Sequence, residues 1–267
     1  MNLLQRVWRS SLGKKYVMAL TGAALFLFVV GHMVGNLQVF LGPEAINRYG
    51  HFLKTTPEIL WPARIGLLTC VGLHIVAAIA LVGQNRAARP VAYAKLGAQG
   101  ATAASRTMIW SGLIILTFVI YHLLHYTLTL ASVNGYGLDF STLRDAEGRH
   151  DIFAMIVMGF QKWPVSVFYL IAVSLLCTHL GHGVGSMFQS LGLKNHVWGP
   201  RIGGFARAAS VILFLGYASI PIAVLSGFGG GHLAEMRTRA PQRASENPAV
   251  PARIELSHGT NAAGKGK

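Results

Sequence analysis

Acidic side chains are scarce in this chain. Nine aspartates and glutamates stand against 23 lysines and arginines in 267 residues, and charged residues of both signs make up only 12%. A soluble domain carries about a quarter, so an ordinary water-exposed surface is excluded over most of the length, and the 52% of apolar residues point to a membrane protein. Cysteine is nearly absent as well. Cys70 and Cys177 both fall in apolar runs and read as small buried residues, and neither belongs to the C-x-x-C-H sequence of covalent haem attachment. There is no glycine-rich phosphate loop after a strand, no H-E-x-x-H pair and no evident internal repeat, so nucleotide and peptidase chemistry have no support.

What the chain has in abundance is long stretches without charge: Tyr16 to Leu41, Ile65 to Asn85, Thr107 to Leu138, Trp163 to Leu193 and Ala208 to Ala234. Each reaches the roughly 20 residues that span a bilayer. The expected fold is an all-α integral membrane bundle of five transmembrane helices, at about 16–41, 62–85, 107–132, 164–189 and 206–228. A basic segment, 1–15, precedes the 16–231 membrane domain, and 232–267, rich in Pro, Ala, Arg and Gly, reads as a disordered tail. The start MNLLQRVWRSSLGKKY is basic like a signal peptide, but the apolar run after it is too long for one and should remain as the first helix.

The net charge of +14 would suggest a nucleic-acid partner in a soluble protein. Here the basic residues sit mainly in short connections and the tail, where they act as topology signals. Arg6, Arg9, Lys14 and Lys15 precede the first span, and Arg86, Arg89, Lys95 and Arg106 fill the second connection without an acid among them. Both segments should face the cytoplasm. The first and third connections, with Glu44, Glu58, Asp139, Asp145, Glu147 and Asp151, should face outward, as should the C-terminus.

Four histidines, His32, His74, His122 and His179, each lie in a different apolar run. A histidine is costly in hydrocarbon and marks a site. A helix rises about 1.5 Å per residue, so counting from the flanking charges converts position into depth. His32 is 17 residues after Lys15 and His122 is 16 after Arg106, each roughly 25 Å from the inner surface. His74 is 12 residues before Arg86 and His179 is 15 before Lys194, roughly 18 to 22 Å from the inner loops. The spacing therefore pairs His32 with His122 near the outer face and His74 with His179 nearer the middle or inner half. Two bis-histidine haems at two depths would satisfy that pattern and pass single electrons.

Alternatives remain at this level. A histidine in a span can hydrogen-bond a neighbouring helix, and Gly31, Gly35, Gly72, Gly181, Gly183 and Gly185 could leave room for a macrocycle or serve small-residue helix packing. Two spans carry a second histidine three residues on, His125 and His182. Depth favours His122 slightly over His125 and does not separate His179 from His182.

Beyond single residues, the stretches G-A-A-L-F-L-F-V-V-G-H-M-V-G-N at Gly22 to Asn36, P-E-A-I-N-R-Y-G-H-F-L at Pro43 to Leu53, G-L-I-I-L-T-F-V-I-Y-H at Gly112 to His122 and F-Y-L-I-A-V-S-L-L-C-T-H at Phe168 to His179 stand out. Over about residues 10 to 228 the chain resembles the single-chain, five-helix, di-haem cytochrome b subunit of succinate dehydrogenases and fumarate reductases. The resemblance implies two haem b groups, the outer on His32 and His122 and the inner on His74 and His179, preferring these over His125 and His182. It also places His51 at a loop histidine of the family that is not a haem ligand.

The resemblance further implies a flavoprotein subunit and an iron-sulfur subunit docked on the cytoplasmic face, no succinate-oxidising site on this chain, and electron delivery to or from a membrane quinone, expected to be menaquinone. Arg86, Arg89, Lys95 and Lys194 could dock the iron-sulfur partner or neutralise propionates, or could be topology signals alone. Quinone chemistry needs titratable groups beside an apolar slot, for which Glu58 and Arg64, near Trp61, are candidates and Ser10 and Ser11 weaker ones. Rival readings are the cytochrome b anchor of a hydrogenase or formate dehydrogenase, and a proton-coupled transporter. No acid lies within a span to support the transporter.

Overall fold

The computed structural model describes residues 2–88 and 103–246, so Arg89, Lys95 and the end of the tail lie outside the described residues. The described chain is helical, without a strand beyond one antiparallel bridge between Arg144 and His150. A bilayer interior offers no water to backbone N–H and C=O groups, so a crossing segment must bond its own, and a helix does so. Five helices are long and apolar enough to cross a membrane. These are α2 (Ser11–Leu37), α4 (Pro57–Ala87), α5 (Ala103–His122), α7 (Trp163–Ser190) and α8 (Trp198–Leu225), with a short α1 (Leu3–Arg9) ahead of them.

End chemistry sets the bounds. Ser10 caps α2 by accepting the Gly13 N–H at 2.9 Å, and prolines occupy the first turns of α4 and α7. Helices α4 and α8 start before the expected 62 and 206, because a helix does not stop where the hydrocarbon does. The third span closes earlier than the expected 132. After His122 it makes one π turn, Leu123–Thr127, in which the Leu128 N–H donates to the Leu123 carbonyl at 2.8 Å, and Thr129, at φ 50°, ends it.

Helix α2 packs against α4, α7 and α8, and α7 against α5 and α8. Leu27, Leu68, Ile79 and Leu215 point outward from these helices and are exposed, as lipid-facing side chains should be.

The densest apolar cluster lies at one end of the bundle, in a cap that the long runs do not announce. Gly42, at φ +99°, turns the chain into α3 (Pro43–Thr55). The fourth crossing is preceded by α6 (Ile152–Gln161), in which every residue from Phe153 to Phe160 is apolar or glycine and buried. Ten residues rise only about 15 Å, too short to span, so α6 is apolar all round because protein surrounds it.

The disordered tail expected from residue 232 is corrected over 232–246. Helix α9 (Gly230–Glu246) continues there, Leu233 is buried, and Met236 packs on the cap. Its anchor is polar: His232 Nε2 lies 2.8 Å from Asp151 Oδ2. Asp151 is fully buried, caps α6 by accepting the Ala154 N–H at 3.0 Å, and accepts from Asn47 Nδ2 at 3.1 Å. Asn47 Oδ1 in turn accepts the Phe153 N–H at 3.0 Å, so α3, α6 and α9 share one network.

Burial would raise the Asp151 carboxyl, but the bonds from His232, the Ala154 N–H and Asn47 outweigh it and hold the group below the ordinary aspartate range. A depressed carboxyl stabilises the fold above its ordinary pKa, and that contribution is lost as the pH falls through the lowered value. Asp151→Ala is expected to cost about 3 kcal/mol and to release α9. Hydrogen exchange over residues 230–238 should rise in the variant at neutral pH and in the unaltered protein only in acid. Unchanged protection in the variant would refute the anchor.

Candidate functional site

The structure gathers the four span histidines into two groups. The imidazoles of His32, on α2, and His122, at the end of α5, stand 5.8 Å apart between centroids with their planes at 86°. An imidazole nitrogen binds a metal at about 2 Å, so two rings that share one ion stand about 6 Å apart centre to centre. His32 and His122 have that separation. His32 is held by stacking on Phe28 at 5.3 Å, and His122 Nδ1 lies 3.4 Å from the Tyr169 hydroxyl of α7.

His74, on α4, and His179, on α7, are electrostatic neighbours, and each is held by a hydroxyl from another helix. Thr21 Oγ1 of α2 lies 3.1 Å from His74 Nδ1, and Ser111 Oγ of α5 lies 3.0 Å from His179 Nδ1. The direction of these bonds follows from the hydroxyls. Thr21 donates its proton to the Val17 carbonyl at 2.7 Å, and Ser111 donates to the Met108 carbonyl at 3.1 Å. Each hydroxyl oxygen is left to accept, so each imidazole carries its proton on Nδ1 and keeps the Nε2 lone pair for a ligand. Fixing a histidine's far nitrogen in this way is how proteins orient metal-binding imidazoles.

Both hydroxyls precede a glycine. A Cβ built on Gly22 would stand 3.4 Å from His74 Cε1, and one on Gly112 would stand 3.8 Å from His179 Cε1. The pattern hydroxyl, glycine, nine residues, histidine therefore occurs twice, as Thr21-Gly22 to His32 and as Ser111-Gly112 to His122. Eleven residues of helix are about 16 Å, so α2 and α5 each join the same two levels at the same spacing.

That separation exceeds what counting from loop charges predicts. Arg86 still lies on α4, 12 residues past His74, whereas Lys15 lies only six before Thr21, so the flanking charges do not mark one plane. The repeated pattern is also the internal symmetry that a search for long repeats misses. Thr21, Ser111 and Tyr169 are absent from the residues singled out by sequence, where a hydroxyl in an apolar helix carries no mark of its partner.

The second histidines are placed differently. His182 Nε2 lies 3.1 Å from Ser186 Oγ one turn along the same helix. His125, on the π turn, is fully buried in the aromatic cluster, stacks on Tyr126 at 4.0 Å and has Nδ1 3.3 Å from the Tyr169 hydroxyl. His51 is exposed on α3.

Among the glycines, Gly31, Gly72, Gly183 and Gly185 have open space where a Cβ would stand. Gly181 instead lets Ser210 of α8 approach and donate to the Cys177 carbonyl at 2.8 Å, and Gly35 faces Tyr49.

The residues weighed for quinone chemistry are spread out. Glu58 is exposed in the first turn of α4, while the Arg64 guanidinium lies over the Trp61 ring at 5.4 Å. Ser10 serves as the α2 cap and donates to the Val7 carbonyl at 3.2 Å, and Ser11 is exposed.

The tautomer assignment has a direct test. Nitrogen-15 spectra of labelled imidazoles should report His74 and His179 with protonated Nδ1 and unprotonated Nε2, and Thr21→Val or Ser111→Ala should lift that preference at the affected ring alone. Mixed tautomers at both rings in the unaltered protein would overturn it. No protein-family model matches the chain, and no curated protein or solved structure does either.

Proposed function

We propose that this chain is the membrane-anchor cytochrome b subunit of a succinate:quinone oxidoreductase in a bacterial inner membrane, with its N-terminus in the cytoplasm and its C-terminus outside. The observation that carries the reading is the pairing of four span histidines, His32 with His122 and His74 with His179, the last two each with Nδ1 beside a hydroxyl of another helix. Each level brings two imidazoles, and no group of three or more His, Cys, Asp or Glu gathers among the described residues. Two imidazoles suit an iron whose other four donors arrive with it in a macrocycle. His32 and His122 would hold one haem b, and His74 and His179 the other. Bound by these residues, haem would supply single-electron transfer.

The chain's own side chains do the rest. Thr21 and Ser111 stand against Nδ1 of His74 and His179, Gly22 and Gly112 pass beside the same rings, and apolar helices surround both levels. In this reading a flavoprotein subunit and an iron-sulfur subunit dock on the cytoplasmic face, and a quinone, menaquinone by preference, exchanges electrons within the lipid. Arg86 and Lys194, both at the end of the bundle opposite the cap, are described cations available for docking.

A reduced-minus-oxidised spectrum of the purified complex should show low-spin b-type haem at about two per chain. His32→Ala or His122→Ala should remove one component and keep the other, and His74→Ala or His179→Ala should do the reverse. A haem-free protein, or equal loss of both components from every variant, would sink the proposal. Co-purification with a nickel or molybdenum subunit in place of a flavoprotein would move the chain to a hydrogenase or formate dehydrogenase.

A further inference from the structure

At the cap end, a cleft of about 330 Å³ opens between α3 and the 141–150 loop, lined by His51, Lys54, Ser141, Arg144, Glu147 and His150 among others. One flank is cationic. The Phe140 carbonyl at 2.9 Å can only accept, so His150 carries its proton on Nε2, and its Nδ1 accepts from the Lys54 ammonium at 3.0 Å. Arg144 donates to the Ser141 and Leu143 carbonyls at 2.6 and 2.9 Å. No carboxylate stands within ion-pair range of Lys54 or Arg144 among the described residues. Partial desolvation, with the charges of Arg144 and Arg64 adding to it, holds the exposed Lys54 ammonium below its ordinary range, and a bound anion would offset those two charges.

The other flank is acidic. Arg149 pairs at once with Glu44, Asp145 and Glu147, and the Glu147 side chain is 59% exposed. Glu147 is the carboxylate of this group that lines the cleft, beside Arg149, while Arg48 acts on Glu44 farther back.

The cleft also lies near the start of α4, a helix long and apolar enough to cross a membrane. Lys54 is near enough to Arg64 to feel its charge, and Arg64 covers Trp61, an exposed ring of the kind found at membrane interfaces. Phe52 and Ile59, on either side of the joint between α3 and α4, are exposed apolar side chains beside it.

We propose that this cleft binds a phospholipid headgroup of the phosphoethanolamine class, with the phosphate against Lys54 and Arg144 and the headgroup ammonium against Glu147. The charge order of the two flanks matches that zwitterion, and the exposed apolar joint offers a surface for acyl chains. A headgroup without an ammonium would meet Glu147 with no favourable partner.

The test uses the full chain, purified with its accompanying subunits, stripped of lipid and returned to phosphatidylethanolamine, phosphatidylglycerol or inorganic phosphate, with retention read by native mass spectrometry. The unaltered protein should retain phosphatidylethanolamine over phosphatidylglycerol, and excess inorganic phosphate should not displace it. Lys54→Gln should lower retention roughly fivefold, the weight of one cation at a membrane surface, while Lys54→Arg keeps it. Glu147→Gln should remove the preference between the two lipids. Equal retention of both lipids by the unaltered protein, displacement by inorganic phosphate, or unaltered behaviour of Lys54→Gln or Glu147→Gln would each overturn the proposal.

Discussion

The constraint on which the rest depends is that hydrocarbon offers no hydrogen bonds. It forces five segments into helices, and it favours polar side chains inside them that find a partner on a helix, although His125 Nε2 and the Tyr126 hydroxyl are buried without one. The histidines obey it through a small set of hydroxyls: Thr21 for His74, Ser111 for His179, and Tyr169 lying between His122 and His125. Because the threonine and serine protons are already given to backbone carbonyls one turn back, the imidazoles must donate. Solvation by the protein thus favours one tautomer, and the tautomer decides which nitrogen keeps its lone pair.

Folding energy is distributed unevenly as a result. Within the span region helices approach through small residues, as where Gly181 admits Ser210 and Gly216 meets Met33, since lipid tails are as apolar as the side chains they would release. The hydrophobic cluster with the most fully buried side chains sits in the cap, where α6 is enclosed by α3, α7, α8 and α9. There the polar network of Asn47, Asp151 and His232 supplies direction that apolar contact lacks. The two regions are joined at the aromatic cluster, in which Phe118, Tyr121, His122, Tyr126, Phe160 and Tyr169 touch one another.

Much of this is legible from residue order. Charge-free runs locate all five crossings, because the cost of burying a charge in lipid is large and local. The histidines declare themselves for the same reason, and helical rise pairs His32 with His122 and His74 with His179. Counting from loop charges misjudges the spacing between the levels, because Lys15, Arg86 and Lys194 end at different heights along helices of different length. Helix α6 escapes a reading of residue order, since a ten-residue apolar run in a connection resembles a fragment of a span. Helix α9 reads as tail, because its docking depends on Leu233, Met236 and one histidine meeting surfaces more than 70 residues earlier in the chain, Asp151 among them.

Local chemistry, then, decided the number of crossings, their approximate ends and the four costly imidazoles, since transfer into lipid acts residue by residue. Only packing decided which hydroxyl meets which imidazole, that Gly181 serves a helix contact while Gly22 and Gly112 border the histidines, and that α6 and α9 close the cap. Those outcomes depend on which helix faces which, and at about 100° of rotation per residue a face is shared only with residues three or four positions away, never announced by sequence neighbours.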